Sequence, residues 1–219
     1  IFPIDNTTIQ WLRDRAQFIC KRGLENVPSD SDSSNGSHPR INNNEIENLL
    51  NNPLKADPDA SYHQDIWLNL SSVRPHISGP NHVKRMISVT DAENDDIIIN
   101  KAYLVSCVNS RADDISAAAR VVRGKKIADG VEFYIAAASN EVQDESESRG
   151  DWQTLIDAGA TPLPPGCGPC IGLGAGLLGP NEIGISATNR NFKGRMGDAS
   201  AEAYLASPAV VASSAISGK

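Results

Sequence analysis

The sequence predicts an α/β fold with a mainly parallel sheet, preceded by a helical and a polar segment. Three observations predict it. Apolar runs typical of buried strands alternate with helical patterns after residue 97. Residues 26–60 are instead dominated by Ser, Asn, Asp and Pro. The chain has 219 residues, which suits one domain with flanks, since domains commonly run to about 100–200 residues.

The first 60 residues divide into a helical flank and a polar insertion. Apolar residues recur at helical spacing over 7–22 and predict an amphipathic helix, so residues 1–25 form the flank. Residues 26–60 cannot bury enough apolar surface to offset the entropy of ordering them. We therefore expect a flexible insertion that is mobile over 28–40, with a short helix near 45–50.

Residues 61–219 carry the α/β pattern. In chain order it predicts a strand at 102–106, a helix at 113–122, a strand at 131–137, helices at 141–148 and 151–158, a strand at 183–187 and a helix at 198–206. Gly159 is placed to end a helix, as glycine accepts the left-handed C-cap backbone. Ligands of parallel sheets bind beyond the carboxyl ends of the strands. Because Cys107 follows the first strand and Asn189 and Arg190 follow the third, we expect these residues at one edge.

Composition excludes several functions. The formal net charge is −7, which argues against a nucleic-acid partner because such a surface needs clustered Lys and Arg. No apolar run approaches the ~20 residues of a membrane helix, so no membrane partner is expected. The chain opens on Ile1 without Met or a leader, and we expect it to be cut from a longer protein.

The pair Cys167 and Cys170 allows several interpretations. A thioredoxin-like pair needs a helix after the first thiol, but three glycines within 172–176 oppose a helix there. A structural zinc site needs four ligands, usually in two pairs, and no His lies near 160–190. Three thiolates, from Cys107, Cys167 and Cys170, suffice for an iron–sulfur cluster with one open iron. Three unrelated buried thiols remain the alternative, and Cys20 is assigned to packing.

Three segments in this order resemble the cluster and substrate motifs of the aconitase superfamily. They are SCVNSR at 106–111, GCGPCIG at 166–172 and SATNRNFKGR at 186–195. The first departs from the family pattern at Val108, where the family usually has Thr. Within the superfamily, the segments at 100–106, 128–139 and 172–178 are most similar to the homoaconitase family.

The resemblance implies a three-layer α/β/α fold and a hydro-lyase that dehydrates and rehydrates a 2-hydroxy tricarboxylate of the homocitrate type in lysine biosynthesis through aminoadipate. It implies a [4Fe–4S] cluster as the cofactor. It carries the metal-ligand role to Cys107, Cys167 and Cys170. The substrate-binding residues that it implies are Asn189, Arg190, Arg195 and Arg111.

The same resemblance implies that no catalytic acid or base lies in this chain and that the chain alone is inactive. Its partners would be a small tricarboxylate and the remaining aconitase-type domains of the parent enzyme, located in the mitochondrial matrix. The alternatives left open are a fragment of isopropylmalate isomerase or of aconitase, and a divergent binding or structural module without catalysis.

Overall fold

A computed structural model describes residues 3–22 and 41–219, which belong to two compact units, Ile1–Leu68 and Asn69–Lys219. The mobility predicted for 28–40 and the packing role predicted for the Cys20 side chain lie outside what the structure describes. Of the described helices, none combines the length and the apolar composition of a membrane span.

The first unit contains two amphipathic helices, α1 (Asn6–Arg22) and α2 (Asn43–Asn51). Both confirm helices that the sequence predicts. Ile9 of α1 and Ile46 of α2 are buried in one small apolar cluster. Arg13 and Glu47 join the helices by an ion pair of 2.6 Å. Helix α2 begins after Asn42 because the side chain of Asn42 caps the helix by accepting a hydrogen bond from the Glu45 amide.

An extended apolar segment, residues 62–68, ends this unit. Trp67 is 97% exposed, and Tyr62, Ile66 and Leu68 are also exposed. Within the described part of the chain, residues 62–68 form neither helix nor strand and share no main-chain hydrogen bond with another segment. This segment therefore exposes apolar side chains.

The second unit is built on a seven-stranded sheet of order β2-β1-β7-β6-β3-β4-β5. In chain order the strands are β1 (His76–Ser78), β2 (Met86–Ser88), β3 (Lys101–Val105), β4 (Glu132–Ala136), β5 (Thr161–Pro162), β6 (Ile183–Ser186) and β7 (Glu202–Leu205). From β7 to β5 every pairing is parallel, and β1 and β2 add an antiparallel hairpin at the β7 edge. The predicted α/β class and mainly parallel sheet are confirmed.

The α-helices of this unit lie between or after its strands. They are α3 (Val89–Ala92), α4 (Ala112–Val122), α5 (Asn140–Ser148), α6 (Asp151–Ala158) and α7 (Pro208–Ser217), with single 3-10 turns at Leu70–Ser72, Glu93–Asp95 and Gly168–Ile171. Gly159 ends α6 with a φ of 113°, as predicted. The predicted strands β3, β4 and β6 and helices α4 to α6 agree with the structure to within one residue.

The two faces of the sheet carry different layers. On β3, Ala102 and Leu104 pack into the large core cluster that the α-helices share. Tyr103 and Val105 pack on the opposite face with Cys170. Within this unit, the described residues that cover the second face belong to loops and a 3-10 turn, not to α-helices. This loop-covered face is where the cysteine pair lies.

The helix predicted over 198–206 is wrong. Residues Glu202–Leu205 form strand β7, parallel to β6, and the Glu202 amide donates to the Glu182 carbonyl at 2.9 Å. Ala203 and Tyr204 are both buried, on opposite faces of the sheet. The Ala- and Glu-containing sequence favours a helix in isolation, but pairing with β6 and two-sided burial outweigh that local preference.

An ion pair between buried Lys101 and half-buried Glu182 anchors the segment before β6 to the sheet. The Lys101 ammonium lies 2.5 Å from the Glu182 carboxylate and donates to the Leu177 carbonyl at 3.0 Å. Burial alone raises the pKa of Glu182, but the hydrogen bonds from Lys101 and from the Gly179 amide outweigh it and hold that pKa below its ordinary 4.5. The carboxylate is therefore charged at neutral pH.

Replacing Glu182 by Gln should lower the free energy of unfolding by about 2 kcal/mol at neutral pH, because Lys101 keeps its buried charge without a countercharge. The folded-state pKa of Glu182 is lowered, so its stabilisation exists above the unfolded value and disappears as the pH falls through the folded value. Urea unfolding of Glu182→Gln and wild type should converge below pH 4.5. Exposed Asp129→Asn is the control, and an equal loss of stability in it would contradict this role.

Candidate functional site

Three loops follow the carboxyl ends of neighbouring parallel strands. We call them the thiol turn (106–110, after β3), the glycine loop (163–179, after β5, the parallel neighbour of β4) and the arginine loop (187–198, after β6). Since β3 pairs with both β4 and β6 in parallel, the strands deliver these loops to one edge of the sheet.

The thiol turn is fixed by its first residue. The Ser106 hydroxyl is buried; it accepts a hydrogen bond from the Asn109 amide at 2.9 Å and donates to the Ala187 carbonyl at 3.4 Å. The Asn109 side chain also reaches the Thr188 carbonyl at 3.5 Å. These bonds attach the thiol turn to the start of the arginine loop. Cys107, which lies between Ser106 and Asn109 in the sequence, remains exposed.

The glycine loop is held against β4 before it reaches its cysteines. The Gly166 amide donates to the Ala137 carbonyl, just past β4, at 3.0 Å. A 3-10 turn follows at Gly168–Ile171, in which the Cys170 amide donates to the Cys167 carbonyl at 2.9 Å. Cys167 is half-buried and Cys170 is buried. The short turn places both thiols on a compact backbone that is fixed to the sheet.

The structure brings the three predicted cysteines together. Burial raises the pKa of the Cys167 thiol, and negative charge on Cys107 and Cys170 and a hydrogen bond with Cys107 raise it further. Arg195 acts in the opposite direction and favours the thiolate. Groups influence each other's titration in this way only at short range, so the Cys107 and Cys170 thiols and the Arg195 guanidinium lie near Cys167. We call these three thiols the thiol cluster.

Two tyrosines on the second face of the sheet support the glycine loop. Tyr103 and Tyr134 stack with ring centroids 5.7 Å apart, and the Tyr103 hydroxyl donates to the Gly176 carbonyl at 2.6 Å. A Cβ at Gly176 would lie 2.8 Å from the Tyr134 ring, so only glycine fits. Burial raises the pKa of Tyr134 to about 12, and it raises the pKa of Tyr103 as well. Both hydroxyls therefore stay protonated donors.

The arginine loop is bonded to the glycine loop along their backbones. The Leu178 amide donates to the Met196 carbonyl at 2.9 Å, and the Asp198 amide donates to the Leu178 carbonyl at 2.8 Å. A Cβ at Gly197 would lie 2.2 Å from the Leu178 carbonyl oxygen. One at Gly172 would lie 2.8 Å from the carbonyl oxygen of Arg195. Glycines thus permit the close approach that sets Arg195 beside the cysteines.

Arg195 is the predicted substrate residue that contacts the thiol cluster. A terminal nitrogen of its guanidinium lies 4.0 Å from the Cys170 sulfur, and the guanidinium carbon lies 5.2 Å from the centroid of the Phe192 ring. Its Nε is buried and has no hydrogen-bond partner among the described residues. The guanidinium is therefore oriented by its neighbours while retaining an unused donor.

The other predicted substrate residues lie elsewhere on these loops. Asn189 and Arg190 are exposed and line a shallow cavity of about 320 Å³, together with Asn81, His82, Val83 and Phe192. Arg111 is exposed at the start of α4, where its amide donates to Asp114 at 3.1 Å. Sequence reasoning missed Asn81 and His82, because their proximity to the arginine loop arises only from the fold.

The donor set suits an iron–sulfur cluster. No three Cys, His, Asp or Glu side chains of the described ranges 3–22 and 41–219 are grouped to hold a single metal ion. A cluster makes a different demand, since its thiolates each bind a separate iron around a larger volume. Three clustered thiols, a glycine-rich backbone and the unpartnered Arg195 Nε are compatible with a bulky group of that kind.

Comparison with known proteins decides the family. The model of the aconitase family (aconitate hydratase) matches residues 1–218. The chain belongs to the aconitase family. This result confirms the resemblance inferred from the three motifs. The match also includes all three loops, because it spans residues 1–218.

Curated members of the aconitase family match the whole chain. A protein named mitochondrial homoaconitase from Mycosarcoma maydis is 56% identical over 220 residues, and that from Candida albicans is 54% identical over 219. A third, from Cryptococcus neoformans, is 54% identical over 220 residues. Each match covers 100% of this chain but 30% of the relative. The chain thus spans under a third of the length of these aconitase-family relatives.

The bond between the two loops predicts different outcomes for two similar glycines. Gly172 and Gly174 have φ values of 75° and 81°, so alanine at either costs about 1 kcal/mol for its left-handed backbone. Only the Cβ at 172 meets the arginine loop; the one at 174 meets nothing within 4 Å. Gly172→Ala should therefore lose at least about 1 kcal/mol more in urea unfolding than Gly174→Ala. Equal losses would contradict close packing of the loops.

Proposed function

We propose that this chain is the cluster-binding part of an aconitase-family hydro-lyase. The reaction is reversible dehydration and rehydration of a 2-hydroxy tricarboxylate, with homocitrate, homoaconitate and homoisocitrate as the substrate class, in lysine biosynthesis through aminoadipate. The observation that carries the proposal is the cluster of three thiols beside Arg195. Relatives named homoaconitase, more than 50% identical over the whole chain, support this substrate class.

In this proposal Cys107, Cys167 and Cys170 hold a [4Fe–4S] cluster, and residues 61–219 form its domain. When bound, a cluster held by three thiolates supplies an open iron that acts as a Lewis acid toward the substrate hydroxyl. The half-buried position of Cys167 and the buried position of Cys170 limit access of water to their sulfurs. The charge of Arg195 favours the thiolates that ligation requires.

Arg195 and Arg190 bind substrate carboxylates in this proposal. A guanidinium presents two parallel N–H donors that match a carboxylate, and a partly buried one is already desolvated. Arg195 meets this description because its Nε is buried and unpartnered in the described structure. Asn189 adds an amide beside Arg190, and Arg111 contributes to substrate choice from the thiol-turn side.

The rest of the parent enzyme completes the site in this proposal. The chain covers 30% of its relatives, and no catalytic acid or base is assigned to it, so alone it does not turn over substrate. The apolar segment 62–68, with Trp67 almost fully exposed, supplies a surface for those further domains. The mitochondrial matrix is the proposed location, since the relatives carry the word mitochondrial in their names.

Anaerobic reconstitution with iron and sulfide tests the cofactor. The wild-type chain should bind about four irons, with visible charge-transfer absorption, because thiolates ligate the cluster. Serine in place of Cys107, Cys167 or Cys170 should lower iron content strongly. Cys20→Ser should retain it and is the matched control. The proposal fails if the folded wild-type chain takes up no iron, or if Cys20→Ser loses as much iron as Cys167→Ser.

Kinetics of the parent enzyme test Arg195. Arg195→Lys keeps the charge but loses the forked donor geometry, so kcat/KM should fall about tenfold to a hundredfold. Arg120→Lys, an exposed substitution on α4, is the control and should behave as wild type. Iron content of the Arg195→Lys enzyme is measured alongside, to separate substrate binding from cluster loss. Wild-type kinetics in Arg195→Lys would remove this residue from the proposed site.

A further inference from the structure

The cavity beside the arginine loop has a second wall that the cysteine motifs do not involve. This wall is the turn between β1 and β2, which we call the hairpin turn (79–85). Asn81, His82 and Val83 of the hairpin turn face Arg190 and Phe192 across the cavity of about 320 Å³. Phe192 contacts the Arg195 guanidinium, which in turn contacts Cys170, so these two side chains connect the cavity to the thiol cluster.

The hairpin turn is held rigidly against β7. The Asn81 side chain accepts a hydrogen bond from the Ala203 amide at 2.9 Å and donates to the Ala201 carbonyl at 2.9 Å. The Ser78 hydroxyl donates to the Val83 carbonyl at 2.7 Å. A Cβ at Gly79 would lie 2.7 Å from the Tyr204 ring, so the turn sits as close to β7 as glycine permits. A residue on this turn is therefore held in place before any ligand binds.

The opposite wall is fixed as firmly. Asn191, directly after Arg190, is fully buried and donates to the Ser78 carbonyl at 3.0 Å and to the Ala203 carbonyl at 2.9 Å. One amide thus bonds the arginine loop to both β1 and β7. The side-chain amides of Asn81 and Asn191 therefore fix the backbone of the hairpin turn relative to the backbone at Arg190, which favours recognition of one ligand size.

The two segments that supply the cavity walls are rich in positive charge, although the chain is acidic. The hairpin turn carries Lys84 and Arg85, and the arginine loop carries Arg190, Lys193 and Arg195 before its first acid at Asp198. Residues 79–85 and 187–197 contain no Asp or Glu, in a chain of net charge −7. Such a local concentration of positive charge attracts anions.

His82 adds a directed donor to this field. Its Nδ1 accepts a hydrogen bond from the Lys84 amide at 3.1 Å. A neutral imidazole that accepts at Nδ1 carries its proton at Nε2, so the free ring nitrogen is a donor. The ring is exposed and lines the cavity. An Nε2–H and a guanidinium on facing walls form a pair of donors suited to a carboxylate.

We infer that His82, presented by the hairpin turn, is a specificity-determining residue that binds a substrate carboxylate together with Arg190. The inference rests on the proposed tricarboxylate substrate and adds a residue to its binding site. Asn81 is a positioning residue. Its side-chain amide bonds to the backbone of Ala201 and Ala203 and so fixes where the neighbouring His82 lies in the cavity wall. The ligand class is a polycarboxylate with one carboxylate in the cavity.

Binding of tricarballylate, a tricarboxylate without a hydroxyl group, tests the inference without catalysis or cluster. Imidazole NMR signals of the 219-residue chain are followed during titration at constant ionic strength. The signal assigned to His82 by a His82→Ala variant should shift, and those of His38, His63 and His76 serve as internal controls. His82→Ala should raise the dissociation constant for tricarballylate about tenfold, which is the effect of losing one hydrogen bond to a charged group. His76→Ala, on the strand beside the turn, should leave it unchanged.

Three results would overturn the inference. They are an unmoved His82 signal, equal affinity of His82→Ala and wild type, and equal or tighter binding of inorganic phosphate than of tricarballylate. The last would identify a general anion site. Because the titration needs no iron, it can succeed where cluster reconstitution fails, and the reverse. The failure of this inference is therefore distinguishable from the failure of the proposed function.

Discussion

The candidate site depends on the close backbone contact between the glycine loop and the arginine loop. Leu178 bonds to Met196 and Asp198 on either side of Gly197, where a Cβ would stand 2.2 Å from a carbonyl oxygen. These two main-chain hydrogen bonds fix the register of the glycine loop against the arginine loop. The position of Arg195 beside Cys170 follows from that contact. Glycines that take no part in the chemistry thus determine where the Arg195 guanidinium lies relative to the thiols.

The candidate site also depends on the parallel sheet, which brings together residues that are far apart in the sequence. Cys107 and Arg195 follow strands β3 and β6, which are far apart in the chain but adjacent in the sheet. The Lys101–Glu182 pair fixes the start of β3 to the start of β6, and the Ser106 hydroxyl links their other ends. With both ends of these strands bonded, the edge that carries the thiols is a rigid platform, which suits a preorganised binding site.

Sequence patterns predicted the elements whose signal is local. Strands β3, β4 and β6 are apolar runs, and α4 to α6 have helical periodicity, so both could be recognised without tertiary information. The strand β7 could not, because its Ala- and Glu-containing sequence favours a helix until it pairs with β6. The hairpin could not, because β1 and β2 are three residues each and too short to show an alternating pattern. Spacing alone left the cysteines open between a cluster and unrelated thiols, and the resemblance of three motifs to the aconitase family is what pointed to the cysteines and Arg195. That resemblance did not extend to the hairpin turn. It could not indicate His82, which lines its cavity only because Asn81 fastens the hairpin turn to β7.

The extended segment 62–68 has a consequence for the behaviour of the chain at high protein concentration. It combines exposed Ile66, Trp67 and Leu68 with a backbone that has no partner among the described residues. A second copy of the same segment can pair with an uncovered backbone of this kind. Self-association through the segment increases with protein concentration. The segment therefore limits the concentration at which the chain stays unassociated, even if every helix and strand of the second unit is stable.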